Sequence, residues 1–302
     1  MSPVGVRCIN PLSPHEEENT TMSLKFALNQ SMIMQCQTEE FIPVCAKAGI
    51  HAVELRIPKL KETLYHMSHQ EFADLLKQHD MSVLSLNAID DFSMVPEENL
   101  DLLKLECETV GRMCNLVDCT MVVAPVARWF GSSPPSREEV KTISQERLTY
   151  VAEIFDRFGV QVGFEPISFP EFTVKDLKLS QEILDGSGAQ NVGFVPDIYN
   201  LFRGGIEPED LTNLNYPIYL LHINDAEDRP FDELHVMYNR VFPGEGVANA
   251  NAWVQALLNA GYDGYFSLEL FRQEIWDMRP EYAASFCAHK LQIFADSVEK
   301  VS

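Results

Sequence analysis

Gln161-Val162-Gly163-Phe164-Glu165 and, after an intervening helical stretch, Val192-Gly193-Phe194-Val195-Pro196-Asp197 set the pattern that decides the fold. Each is a short, mainly apolar run that ends in a carboxylate. Ile218-Tyr219-Leu220-Leu221-His222-Ile223-Asn224 and Gly264-Tyr265-Phe266-Ser267-Leu268-Glu269 repeat the pattern, with an imidazole and a third carboxylate near the end. Short runs that are apolar almost throughout read as strands covered on both faces, as in parallel sheets with helices packed outside.

Upstream, Lys25–Asn29, Ala52–Arg56, Val83–Ala88 and Thr120–Ala124 are further candidates of the same kind, giving eight strands in all. Helical periodicity falls between them over Thr38–Ala48, His69–His79, Glu97–Leu116, Arg137–Phe158, Thr173–Asp185, Pro208–Leu214, Ala250–Ala260 and Glu281–Val298. Thr38 precedes Glu39 and Glu40 at one helix start, Gly49 and Gly261 follow helix ends, and Pro208 suits a first turn. Eight strands alternating with eight helices predict an α/β fold, a single (β/α)8 TIM barrel over residues 23–302. No glycine-rich phosphate loop follows the first strand, which argues against a dinucleotide fold. Residues 1–22 are polar, include Glu16-Glu17-Glu18 and read as a flexible N-terminal extension.

The chain has 302 residues, 46% of them hydrophobic, enough for one large core. No window approaches the roughly 20 apolar residues of a membrane span, and no secretory signal is visible, so a soluble cytoplasmic protein is expected, with no membrane partner. Seven cysteines without a CxxC pair read as ordinary buried thiols. A net charge of −22 repels phosphate backbones, so nucleic acid is not an expected partner. A neutral polyol or keto-sugar fits that field better.

In barrel enzymes the chemistry sits where strands end. Here the strand ends carry Asn29, Glu54 and Arg56, Asn87, Glu165, Asp197, His222 and Asn224, and Glu269. Each has an ordinary explanation. Glu165 could pair with an arginine, Asp197 could cap a turn, His222 could be a hydrogen-bonded core residue, and Glu269 could pair with Arg272. Together, successive strands would bring three carboxylates and one imidazole to a common point, where the carboxylates repel unless a cation compensates. Three oxygen ligands and one nitrogen suit one divalent ion, Mn²⁺, Mg²⁺, Co²⁺ or Zn²⁺, and the absence of thiolates argues against a purely structural zinc site.

At these residues the sequence resembles the xylose isomerase-like superfamily of TIM barrels, the sugar isomerase and epimerase group, over about residues 24–297. Within that group it is most similar to the inosose isomerases. Val53-Glu54-Leu55-Arg56, Leu84-Ser85-Leu86-Asn87-Ala88, Gly163-Phe164-Glu165, His222-Ile223-Asn224-Asp225-Ala226-Glu227-Asp228, Val241-Phe242-Pro243-Gly244-Glu245-Gly246 and Ser267-Leu268-Glu269-Leu270-Phe271-Arg272 carry the likeness. The resemblance implies metal ligation by Glu165, Asp197, His222 and Glu269, and acid/base roles for Glu165 and Glu269 in moving a proton through an enediolate. One departure stands out. Related enzymes often have a histidine three residues after the strand-six aspartate, where this chain has Asn200, which cannot exchange a proton near neutral pH. Relatives commonly form dimers or tetramers, so the resemblance allows a homo-oligomer.

Asn29, Asn87 and Asn200 offer neutral donors and acceptors for hydroxyl groups. Arg56, Arg229 and Arg272 could hold substrate oxygens, with a salt bridge as the plainer role of each, and Glu171 is a reserve base. The long segment 225–249 could close over substrate or be a surface excursion. Trp129 and Phe130 could wall the sugar ring or simply pack. The expected activity is isomerisation of a keto-polyol; a ketose 3-epimerase or an inosose or sugar dehydratase would use the same site. An endonuclease would need more histidines and a positive groove, and a non-catalytic sugar-binding barrel would not need carboxylates competing for one cation.

Overall fold

The computed structural model describes residues 24–300. The strands are β1 (Lys25–Asn29), β2 (Ala52–Arg56), β3 (Ser82–Asn87), β4 (Met121–Pro125), β5 (Gln161–Glu165), β6 (Val192–Phe194), β7 (Leu220–Ile223), β8 (Asp225–Ala226), β9 (Arg240–Val241) and β10 (Tyr265–Leu268). Eight of them lie side by side in the order β6-β5-β4-β3-β2-β1-β10-β7, all pairs parallel. Parallel bridges Phe194↔Ile218 and Asp197↔His222 join the two outer strands and complete the ring. β8 and β9 form a separate antiparallel ladder beyond β7.

The helices are α1 (Thr38–Lys47), α2 (Ile57–His66), α3 (His69–Gln78), α4 (Leu100–Leu116), α5 (Arg137–Asp156), α6 (Leu177–Ser187), α7 (Ile198–Arg203), α8 (Ala250–Asn259), α9 (Gln273–Trp276) and α10 (Pro280–Glu299). Strand side chains alternate between two environments. Leu28, Val53, Leu55, Val122, Phe164, Phe194, Leu221 and Phe266 join the main core under the helices. Met121, Val123, Val195 and Leu220 form a second, small cluster inside the ring. Two residues beyond these inward positions come Asp197 after Val195 and His222 after Leu220, so the alternation that fills the lumen with apolar groups also turns the polar residues inward above them.

The expected strands and helices differ from the observed ones mainly at their ends. The ladder of β6 stops at Phe194 rather than Asp197, because Pro196 has no N–H to contribute. The helix expected from Thr173 starts at Leu177, where the Asp176 carboxylate accepts from Leu179 N at 2.7 Å. Residues before it are used elsewhere: Ser168 Oγ donates to Lys175 O and Ile167 N to Val174 O. Pro208–Asn213 is a 3-10 helix rather than an α-helix. The short helices α2, α7 and α9 were not expected from the sequence. The extension expected over residues 1–22 lies outside the described residues, as does Cys8; the six cysteines within them are free and buried. Among the described residues no helix is long and apolar enough to cross a membrane.

Gly163 faces the lumen one position before Phe164 and two before Glu165. A Cβ there would lie 2.4 Å from Val195 Cγ2, a methyl on a side chain with little rotamer freedom. Gly163→Ala is therefore expected to destabilise the barrel by about 1–3 kcal/mol through overpacking, read as a lower urea midpoint. An unchanged midpoint would show that the lumen has room to spare.

Candidate metal centre and active-site cavity

Glu165 ends β5, Asp197 follows β6, His222 lies in β7 and Glu269 follows β10. Each offers one ligand atom, and these atoms all lie within 4.8 Å of one another. All four residues are buried, with Asp197 and His222 at 0% exposure, Glu269 at 4% and Glu165 at 6%. Like charges at that spacing away from water require compensation.

Part of it comes from the surrounding side chains. Asn224 Nδ2 donates to Asp197 Oδ2 at 2.7 Å and Asn200 N to Asp197 Oδ1 at 2.8 Å, the latter as a cap of α7. Asn29 Nδ2 donates to Glu269 Oε1 at 3.0 Å, and Asn200 Nδ2 to Glu165 Oε1 at 3.3 Å. Arg240 supplies a full positive charge: its Nη1 reaches Asp197 Oδ2 at 2.9 Å and Glu269 Oε2 at 3.0 Å. The guanidinium is buried between the rings of Tyr199 and Phe271, 5.2 and 5.1 Å from their centroids.

Arg240 was not among the sequence candidates. It enters from the segment between β7 and α8, which carries no strand-end signature. Asp225 fixes that segment, accepting from the backbone N–H groups of Ala226, Gly244, Ala248 and Ala250 at 2.9, 3.0, 2.7 and 3.3 Å. Gly246 packs so closely on Ala226 that a Cβ would lie 2.2 Å from its carbonyl oxygen. The long excursion is thus a pinned wall carrying a cation into the site.

Within the four-residue cluster, one buried nitrogen has no hydrogen bond. His222 Nε2 lies 3.0 Å from Glu54 Oε1, whereas Nδ1 is buried and unpartnered. Nδ1 sits 3.7 Å from Glu165 Oε1 and 3.5 Å from Glu269 Oε2, too far for good hydrogen bonds and well placed to share a cation with them. An imidazole nitrogen and three carboxylates around that point form a hard, mixed donor set that fits a divalent ion. Without one, burial pushes Glu165 up to about 7, with the His222 charge opposing. Burial would lower the His222 pKa, but Glu269 and Glu54 outweigh it and hold it well above the ordinary value. Burial likewise opposes ionisation of Glu54, yet His222 and the hydroxyls of Ser267 and Ser85 bring it down to about 2.

Above the cluster opens a cavity of about 290 Å³. Glu165, Glu269, Asn200 and Arg240 lie at its base, and Arg56, Asn87, Asp90 and Arg128 on its polar side. Arg56 Nη1 donates to Asn87 Oδ1 at 3.0 Å. Phe172, Phe271, Val236 and Met237 supply the apolar wall, rather than Trp129 and Phe130, which are exposed. Of the expected substrate residues, Arg56, Asn87 and Asn200 line the cavity, and Asn29 is buried behind Glu269. Three lie elsewhere. Arg229 Nε is engaged with Glu227 Oε2 at 2.6 Å on the surface. Arg272 turns away from Glu269, pairing with Glu274 at 3.1 Å and donating to the carbonyl of Arg240. Glu171 is exposed in a loop, held by its main-chain carbonyl accepting from Trp129 N.

A model of the family described as xylose isomerase-like TIM barrel matches residues 42–288. Among curated proteins, the inosose isomerase of Bacillus velezensis is 28% identical over 262 residues, 85% of this chain and 92% of that one. The inosose isomerase of Bacillus subtilis is 28% identical over 264 residues, 86% of this chain and 94% of that one. Among solved structures, the IolI protein with a bound zinc atom superposes with a TM-score of 0.84 at 26% identity, covering 91% of this chain and 99% of that one. The probable 3-DHS dehydratase AsbF from Bacillus anthracis shares the fold, with a TM-score of 0.73 at 17% identity over 89% of this chain and 99% of that one.

A cation entering this cluster must displace the proton at His222 Nδ1 and, below about pH 7, a proton from Glu165. Both pKa values are raised, so protons compete more strongly as pH falls. Zinc affinity is expected to fall as pH drops from 8 to 6, by up to about tenfold per pH unit for each proton displaced. A zinc titration showing no pH dependence between 6 and 8 would contradict this donor set.

Proposed function

The chain belongs to the xylose isomerase-like TIM barrel family, and on that premise we propose that it is a divalent-metal-dependent isomerase of neutral keto-polyols, with inosose-type substrates. The observation that carries the reading is the buried four-residue cluster with His222 Nδ1 unpartnered at the base of a polar cavity. The relatives named inosose isomerase, similar over most of both chains, and the zinc bound in the IolI protein support it. The ion would be held by Glu165, Asp197, His222 and Glu269.

Isomerising a hydroxyketone removes a proton from the carbon next to the carbonyl and returns one to the neighbouring carbon, through an enediolate. When bound, a divalent ion supplies Lewis-acid polarisation of the carbonyl oxygen and the adjacent hydroxyl. The chain itself supplies the proton carriers and the geometry. Glu165 and Glu269 flank His222 Nδ1 at similar distances, so a substrate carbon above the cluster would have a carboxylate on either side. They are the acid/base pair in this reading. Arg240 and Asn29 bind the two oxygens of Glu269 and fix its orientation, whereas Glu165 has the single side-chain donor Asn200. Asn200 orients Glu165 without offering a proton of its own, so proton movement rests on the carboxylates.

The cavity walls favour an uncharged substrate. Arg128 lies 3.9 Å from Asp91, Arg240 is bound to Asp197 and Glu269, and the charge of Arg56 acts on the buried Asp90, so carboxylates offset the positive charges of the cavity. A phosphorylated sugar would find Arg128 and Arg240 already engaged by carboxylates rather than free to clamp it. The donors of Arg56 and Asn87 suit ring hydroxyls instead.

Incubation with inososes and ketohexoses in D₂O, followed by NMR, tests this reading. Deuterium entering one of two adjacent carbons with a keto-polyol isomer as product is the expected outcome. An epimer or a dehydrated product would reassign the reaction within the same site, and the absence of exchange with every candidate would overturn the reading. Glu269→Gln is expected to lower turnover by about 10²–10⁴-fold, the usual contribution of a positioned acid/base group. Wild-type activity in that variant would remove Glu269 from the mechanism.

A further inference from the structure

At the centre of the barrel, below the four clustered residues, a second carboxylate network has no part in the chemistry so far described. Glu54 is the third residue of β2 and is fully buried. The β2–β3 register shifts between Val53 and Glu54, which sets Ser85 rather than Leu84 beside Glu54. On the other side Glu54 is in register with Asn29 of β1. Across the lumen, Ser267 of β10 is in register with His222 of β7. Four strands therefore converge their polar side chains on one carboxylate.

Every contact made by that carboxylate is as an acceptor. Oε1 receives His222 Nε2 at 3.0 Å, Ser267 Oγ at 2.5 Å and Asn29 Nδ2 at 3.2 Å. Oε2 receives Ser85 Oγ at 2.5 Å and lies 3.3 Å from His222 Nε2. An ionised carboxylate has only lone pairs to offer, so each neighbour must turn a hydrogen toward it. His222 has one hydrogen to give when neutral, and Glu54 claims it at Nε2. In that neutral form the lone pair is left on Nδ1, the buried nitrogen that has no hydrogen-bond partner and faces Glu165 and Glu269.

We propose that Glu54 is the positioning residue of the metal centre: by accepting from Nε2 it fixes the tautomer and ring plane of His222, so that Nδ1 presents its lone pair to a divalent cation. The inference rests on the metal-dependent reading above. Asn29 extends the arrangement, because its amide nitrogen bonds both Glu54 Oε1 and Glu269 Oε1 and ties the imidazole to one of the carboxylates. A core salt bridge alone would not account for this arrangement. Burying a carboxylate in the middle of a barrel lumen is costly, and apolar residues fill the layer beneath it.

The test compares zinc affinity of the full-length protein with that of Glu54→Gln and Glu54→Ala, by competition with a chromophoric chelator at fixed pH. Glutamine can turn either its oxygen or its amide toward Nε2 and so no longer dictates the tautomer. Both variants are expected to bind zinc about 10- to 100-fold more weakly, the usual effect of losing the partner of a ligating histidine, with the circular dichroism spectrum retained. Affinities within twofold of wild type in a folded variant would overturn the inference and leave the metal site standing. A wild-type protein that binds no zinc would overturn both. Should the variants fail to fold, ¹⁵N NMR of the zinc-loaded wild type decides: the inference requires a protonated Nε2 and zinc on Nδ1 of His222, and the reverse assignment would overturn it.

Discussion

Three carboxylates and an imidazole with ligand atoms within 4.8 Å of one another, nearly out of contact with water, are the constraint on which the upper half of this barrel depends. Such a group is stable only with positive charge and hydrogen-bond donors directed at it. The molecule supplies them from several directions. Asn29, Asn200 and Asn224 donate amide hydrogens, and Arg240 places one guanidinium nitrogen between Asp197 and Glu269. His222 is held from beneath by Glu54, so the nitrogen left over is the one facing Glu165 and Glu269.

Precision in such a site comes from the scaffold. The four clustered side chains stand on or just after four neighbouring parallel strands, where backbone hydrogen bonds fix their spacing. Arg240 comes from outside the ring, on the two-residue strand β9 that pairs with β8. There the Asp225 carboxylate adds to the β8–β9 pairing, gathering four backbone N–H groups and tying the excursion to the end of β7.

How much of this could be read from the sequence depended on where each residue stands. The barrel was legible because apolar runs recur between helical stretches, and Glu165, Asp197, His222 and Glu269 were legible because the position of a residue at a strand end fixes which way it points. Arg240 was not: nothing in Tyr238-Asn239-Arg240-Val241 reveals that the chain doubles back across the top of the barrel. Conversely, Arg272 follows Glu269 by three residues, yet it lies past the end of β10 at the start of α9 and turns outward. Glu54 was visible as a polar strand residue, but its partner His222 is 168 positions away and meets it only across the closed ring. The element boundaries moved for local reasons, Asp176 capping at the start of α6 and Pro196 lacking a donor at the end of β6, and these left the site in place.

The central claim is that one divalent ion belongs between Glu165, Asp197, His222 and Glu269. Anomalous diffraction at the zinc edge, from crystals grown with the metal, addresses it directly. The expected result is a single strong peak about 2.0–2.2 Å from Nδ1 of His222 and from one oxygen of each carboxylate. No peak at this position in zinc-loaded crystals, or a peak bound through Nε2 with Glu54 displaced, would contradict the account.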